Sequence, residues 1–233
     1  MGNERDKQWF VVLIVIILIS FSFGLKSRDK EMISDKNEEI KLPSVQKSGK
    51  LSVEEALFRR KSVREYKDMP LSLEEVSQLL WSAQGITSFR EKRRTAPSAG
   101  ALYPLEIYLV AGEVENLKPG IYHYNPERHS LVMTKEGDER FALYSSCLFQ
   151  SCIKDAPISL VICVQYEKTT RKYGERGIRY VHIEVGHVGQ NVYLQAESLG
   201  LGTVAIGAFV DEMVKEVLNI KEEPIYIMPI GRK

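Results

Sequence analysis

Apolar residues fall into three successive patterns along the chain. From Trp9 to Leu25 no charge occurs, and no polar face appears at helical spacing. A helix of these 17 residues is about 25 Å long, against the roughly 30 Å hydrocarbon core of a bilayer. This stretch is expected to be an N-terminal transmembrane helix, with Trp9 at one interface and Lys26 and Arg28 at the other. A cleaved signal peptide is the alternative, because Ser22-Phe23-Gly24 is a small-residue site after an apolar run. Residues 26–50 are rich in Lys, Glu, Asp and Ser and read as a polar tether. Cations are more numerous after the span than before it, which places the following domain on the cytoplasmic side; the signal-peptide alternative exports it.

From residue 51 onward the pattern is that of a globular domain. Ser52-Val-Glu-Glu55 is a capping-box spacing, and Val53, Leu57 and Phe58 share one helical face, so a helix is expected to about Lys61. Ser72-Leu-Glu-Glu75 repeats the signal before Val76, Leu79 and Leu80, with Gly85 as a stop. Residues 86–104 read as a loop, and Leu105–Ala111 as a strand. Strands at Gly120–Tyr124 and Ser130–Thr134 form a hairpin through Asn125-Pro126, followed by a helix over Arg140–Phe149. The nearly unbroken apolar run Ile158–Gln165 is a buried strand. Val181, Val185, Val188 and Val192 mark one face of a long helix over Tyr180–Leu199. A strand at Thr203–Ile206, a helix at Glu212–Leu218 and a last strand at Ile225–Ile230 complete the order. The fold class is α+β, a sheet with helices packed on it.

Charge narrows the function. Thirty-two Lys+Arg against 31 Asp+Glu give a net charge of +1, so bulk attraction to nucleic acid is excluded. Nine of those bases and seven of those acids lie in residues 1–50, which leaves 23 and 24 in the domain. Any anion site there must be a local cluster. Three cysteines form no disulfide framework and no Cys-x-x-Cys, and the four histidines lack metal-ligand spacing.

Four segments carry candidate chemistry. Arg59-Arg60-Lys61-Ser62-Val63-Arg64 packs four cations and a hydroxyl into six residues, enough to hold a phosphate. The same cations also suit the negative end of a helix dipole. Thr95-Ala-Pro-Ser-Ala-Gly-Ala-Leu-Tyr-Pro104 has small residues that let backbone N–H groups approach a ligand, or simply turn before a strand. It is neither a P-loop nor a dinucleotide fingerprint. Leu199-Gly-Leu-Gly-Thr-Val-Ala-Ile-Gly207 sets glycines about a short strand, and Pro229-Ile-Gly-Arg-Lys233 ends the chain on cations.

Taken in order, these segments resemble the nitroreductase-like flavoproteins, and more closely the SagB-type dehydrogenase branch that includes azoline oxidases. The resemblance covers residues 50–233. It rests on Arg60-Lys-Ser-Val-Arg64, Arg94–Ile107, Arg179-Tyr180, Glu184-Val-Gly-His-Val-Gly-Gln-Asn191, Gly200-Leu-Gly202 and Pro229-Ile-Gly-Arg232. It implies a nitroreductase-like fold with a central, mostly antiparallel sheet flanked by helices, binding FMN at a homodimer interface. By the resemblance, Arg60, Lys61, Ser62 and Arg64 hold the phosphate and ribityl chain, and Arg232 joins them. Pro97, Ser98, Ala99 and Gly100 line the isoalloxazine from the partner subunit, while Ile206, Gly207 and Ala208 offer backbone contacts near its reactive nitrogen. Gln190 is a further candidate contact. Lys172-Tyr173 resembles the Lys-Tyr pair of azoline oxidases and would take a proton from a small or peptidic substrate; an exposed polar loop is the plainer reading. Ala101 stands where many nitroreductases carry Asn. The expected function is two-electron transfer between that substrate and FMN. An NAD(P)H-dependent nitro or quinone reductase and a non-catalytic flavin-binding or partner-docking module are the alternatives.

Overall fold

The structure, a computed structural model, describes residues 39–233. The span expected at residues 9–25 lies outside them; among the described residues no helix is long and apolar enough to cross a membrane. A seven-stranded sheet organises the domain, in the order β1 (Glu39–Lys41), β6 (Ser130–Glu136), β5 (Gly120–Asn125), β4 (Leu105–Ala111), β7 (Ile158–Val164), β9 (Glu223–Arg232) and β8 (Leu201–Thr203). Every pairing within it is antiparallel. The short strands β2 (Ile86–Ser88) and β3 (Arg93–Arg94) pair separately.

Both faces of the central strands are buried, which explains the unbroken apolar run of β7. Leu105, Ile107 and Leu109 of β4 and Leu160 and Ile162 of β7 point into one core. Tyr108, Val110, Val161 and Cys163 point into the other. Helices α2 (Leu73–Gln84) and α6 (Arg176–Ser198) cover the first face with Val76, Leu79, Leu80, Val181, Val185, Val188 and Val192. On the second face α3 (Arg140–Ser146), α4 (Cys152–Asp155) and α7 (Asp211–Leu218) supply Leu143, Ile153, Val214 and Leu218. The result is three layers, helices on either side of one sheet.

Helix starts follow their caps. Ser72 accepts from the Glu75 N–H and the Glu75 carboxylate accepts from the Ser72 N–H, a complete capping box. Helix α1 (Val53–Arg59) is capped in the same sense by Ser52.

Five expectations change. Residues 39–42 belong to the sheet rather than to a tether: β1 pairs with β6, and Leu42 is buried in the first core. Three alternating positions beside a sheet edge suffice for a strand, too short a pattern to show against polar neighbours. The apolar face of α1 is not a core face. Val53, Leu57 and Phe58 are exposed, Phe58 by 91%, and the helix buries Ala56 instead. The loop over 86–104 contains the β2–β3 pair and a 3-10 turn at Ala99–Ala101. The polar stretch before the long helix forms a helix of its own, α5 (Tyr166–Tyr173), with Thr169 as its buried residue, and α6 begins four residues earlier than expected. The strand expected at 203–206 is shifted forward to Leu201–Thr203, where Gly202 pairs with Gly231.

Candidate functional site

The cation segment is laid along the outer edge of the sheet. After α1 the chain runs beside β8: Ser62 bridges Thr203 in parallel, and the Val63 N–H donates to the Thr203 carbonyl at 2.9 Å. This covers an edge strand that would otherwise expose its backbone. Close approach requires Gly202, since a methyl group there would lie 2.7 Å from Val63. Gly231 makes the same room for Tyr66, whose hydroxyl donates to the carbonyls of Val63 and Pro229. Gly202 and Gly231 therefore serve to seat the cation segment.

Tyr193 of α6 gathers the segment. Its hydroxyl lies 3.1 Å from Ser62 Oγ and accepts from the Ala205 N–H at 2.8 Å, and the Arg60 guanidinium stacks 5.1 Å from its ring. Ala205 leads directly into Ile206, Gly207 and Ala208, of which Gly207 and Ala208 are exposed. Ala208 is held in turn by Gln150, which donates to its carbonyl at 2.9 Å. The phosphate candidates and the Ile206–Ala208 candidates thus form one connected group. Arg59 pairs with Glu55, whereas Arg60, Lys61 and Arg64 make no salt bridge among the described residues. Uncompensated cations at one sheet edge suit a phosphate.

Arg232 departs from its expected role. Its guanidinium is bound bidentately by Glu75 at 3.0 and 2.9 Å, so its charge is already neutralised. Its Nε is buried and without a partner. Gln190 is exposed on α6, one turn before Tyr193.

The Pro97–Gly100 candidates form a second group. Ser98 Oγ accepts from the Tyr103 N–H at 2.9 Å, and Gly100, Ala101 and Tyr103 have φ of 65°, 53° and 47°. Left-handed geometry at two non-glycine residues is strain of the kind that collects at ligand sites. Lys172 and Tyr173, at the end of α5, close on this loop. A methyl group on Gly100 would meet the Tyr173 hydroxyl at 2.7 Å and Lys172 Nζ at 2.9 Å. Tyr173 also packs edge-on against Tyr180 at 5.2 Å. Behind the loop, Glu184 of α6 is 2% exposed, and its Oε1 accepts from the Gln84 amide at 3.4 Å. Burial raises its pKa, against the opposing pull of Ser98, Gln84 and Arg94.

Glu184 and Tyr193 are separated by two and a half turns of α6, about 13 Å along the axis and on opposite sides. Two residues central to this arrangement, Tyr193 and Glu184, were not among the sequence candidates. Glu184 carried a signal, a carboxylate set into the apolar stripe between Val181 and Val185; Tyr193 carried none. The three cysteines are buried, and burial holds the Cys163 thiol well above its usual range.

Comparison with known proteins identifies the class. Residues 57–232 match the Nitroreductase family, and the chain belongs to that family, whose members use FMN. It is therefore an oxidoreductase. It is 51% identical over 195 residues to "Putative nitroreductase MJ1384" of Methanocaldococcus jannaschii, covering 84% of this chain and 96% of that one. The microcin B17-processing protein McbC of Escherichia coli is 30% identical over 161 residues, 66% of this chain and 59% of McbC. A crystallised protein from Ralstonia eutropha, also titled a nitroreductase, superposes with a TM-score of 0.74 at 30% identity, covering 84% and 90% of the two chains.

The residues present fit FMN at both groups. At the cation edge Arg60, Lys61 and Arg64 have no salt bridge among the described residues and the Ser62 hydroxyl stands with them, a donor set suited to a phosphate, and the loop brings the small residues Ser98, Ala99 and Gly100 together.

Proposed function

We propose that this chain is an FMN-dependent oxidoreductase of the SagB-type branch, acting on a small or peptidic substrate from which it removes two hydrogens, that is two electrons and two protons. The carrying observation is the approach of Lys172 and Tyr173 to Gly100. FMN, when bound, supplies the two-electron acceptor. Arg60, Lys61, Ser62 and Arg64 hold its phosphate and ribityl chain, and backbone groups of Ile206–Ala208 lie near the ring. Pro97–Gly100 would offer small residues to the isoalloxazine, and the Tyr173 hydroxyl and Lys172 Nζ beside Gly100 would take the substrate proton. The similarity to McbC, a protein named for microcin B17 processing, favours an azoline-type substrate over a nitro compound.

Because the two groups lie on opposite sides of α6, the proposed site takes the cation edge from one chain and the Pro97–Gly100 loop from another. A homodimer is the arrangement this supports. We also propose that residues 9–25 anchor the domain at the cytoplasmic face of a membrane; release of the full chain from membranes by alkaline carbonate would rule out a spanning anchor.

The second reading, an NAD(P)H-dependent nitro or quinone reductase, is favoured by the 51% identity to a protein bearing the nitroreductase name. The two are separated by which compound bleaches the bound flavin without oxygen: an azoline peptide for the first, NADPH for the second.

A further inference from the structure

Thr95, two residues before Pro97, is held at every polar group it has. Its N–H donates to the Gly85 carbonyl at 2.9 Å, and its hydroxyl donates to the Trp81 carbonyl at 3.0 Å. Its own carbonyl accepts from Asn191 Nδ2 at 3.3 Å, and the same nitrogen donates to the Ser82 carbonyl at 3.1 Å. Ser82 lies in the last turn of α2, where carbonyls lack a partner within the helix. Asn191 therefore joins three elements: α6, which carries it, the end of α2, and the segment that leads into the Pro97–Gly100 loop. A primary amide suits this place, because one nitrogen brings two protons and each meets a carbonyl; a carboxylate would set lone pairs against both. Asn191 stands two residues before Tyr193, about 200° away around the helix, so α6 turns one side chain to each group.

The loop that follows is the strained one, with Gly100, Ala101 and Tyr103 all left-handed. A loop in that state holds its shape only if its surroundings over-determine it. Its far end is fixed by Tyr103, whose N–H donates to Ser98 Oγ at 2.9 Å and whose hydroxyl accepts from the Arg94 N–H at 3.3 Å. Its near end is fixed at Thr95 and at Ala96, which is fully buried, and Asn191 supplies the bond from α6. We infer that Asn191 is a positioning residue: by holding the Thr95 carbonyl against the end of α2, it sets the Pro97–Gly100 backbone against which the flavin ring lies. This rests on the reading of that loop as the flavin-facing one. Asn191 acts through Thr95.

The test is made on the full chain and reads FMN affinity from flavin fluorescence quenching, the visible band of the bound flavin, and the denaturant midpoint. Asn191→Asp keeps the size and shape of the side chain and turns two donated bonds into two repulsions. It is expected to weaken FMN binding about tenfold and to shift the flavin band. Leu131→Ala is the control for lost stability alone. Leu131 is fully buried on β6 in the first core, and its truncation is expected to lower the midpoint while affinity and band stay native. Native affinity and band in Asn191→Asp overturn the inference, and so does an equal loss of affinity in Leu131→Ala. If Asn191→Asp fails to fold, Asn191→Ala, which removes the donors without opposing the carbonyls, is read by the same criteria. A native chain that binds no FMN defeats the flavin-loop reading beneath it, a result distinct from unchanged variants of a chain that does bind.

Discussion

Tyr193 stands two and a half helical turns from Glu184 on the opposite side of α6, its hydroxyl set against Ser62 of the cation edge while the Glu184 carboxylate accepts from the buried Gln84 amide. The proposed homodimer draws one half-site from each chain. The FMN-loaded protein is expected to elute as a dimer in light scattering. A monomer carrying stoichiometric FMN would show that one chain completes the site alone.

Tyr193 joins Ser62, Arg60 and Ala205 through one hydroxyl and one ring face. Tyr193→Phe keeps the ring under Arg60 and removes both hydrogen bonds. FMN binding is expected to weaken about tenfold, the loss of one to two net hydrogen bonds. Isothermal titration with FMN checks this, and an unchanged affinity would mean that Ser62 and Ala205 hold their places without Tyr193.

Gly202 lies beneath Val63, with no room for a methyl group. Gly202→Ala is expected to cost about 1–3 kcal/mol and to displace the cation segment from β8. Denaturant titration measures the first effect and FMN affinity the second. Gly186→Ala, on α6 with open space about it, is the control for a glycine whose replacement meets nothing within the chain.

The elements were legible where period and caps agreed. Ser52 and Ser72 mark helix starts, Val181 to Val192 mark the buried face of α6, and the β7 run marks a strand covered on both sides. The cation cluster and the Pro-Ser loop were legible as motifs, because both depend on residue type. What escaped was set by tertiary contact. Helix α5 is polar on all but one side and is held by Lys168 to Glu106 at 2.7 Å, a bond that a local pattern cannot carry. Phe58 and Leu57 look like core at helical spacing, yet α1 rests on the domain through Ala56. Arg232 has the right type for a phosphate ligand, but Glu75, needed to cap α2, also reaches its guanidinium. Which cation finds a carboxylate is decided by folding and not by the cation's neighbours in sequence.

That Glu106 contact gives a pH dependence. Burial opposes ionisation of Glu106, but hydrogen bonds with His123 and Lys168 outweigh it and hold its pKa below the usual value. The folded chain therefore binds this proton less tightly than the unfolded chain. The resulting stability is full above the ordinary carboxylate range and is lost as the pH falls through the lowered folded value. Glu106→Gln is expected to flatten that acid limb in denaturant titrations between about pH 3 and pH 7. It is also expected to loosen α5, which carries Lys172 and Tyr173. An acid limb identical to that of the native chain would show that Glu106 does not set it.

The proposed function gives Lys172 and Tyr173 the substrate proton and not the FMN phosphate. Lys172→Ala and Tyr173→Phe are each expected to lower substrate oxidation by about a hundredfold while FMN occupancy stays native. Loss of flavin in either variant would assign the pair to cofactor binding instead.

The most direct measurement is anaerobic mixing of the FMN-loaded full chain with an azoline-containing peptide, followed at the visible flavin band. Bleaching is expected with the native protein and is expected to slow about a hundredfold in Tyr173→Phe. A flavin that bleaches rapidly with NADPH and stays oxidised with the peptide would contradict the proposed function and establish the reductase reading in its place.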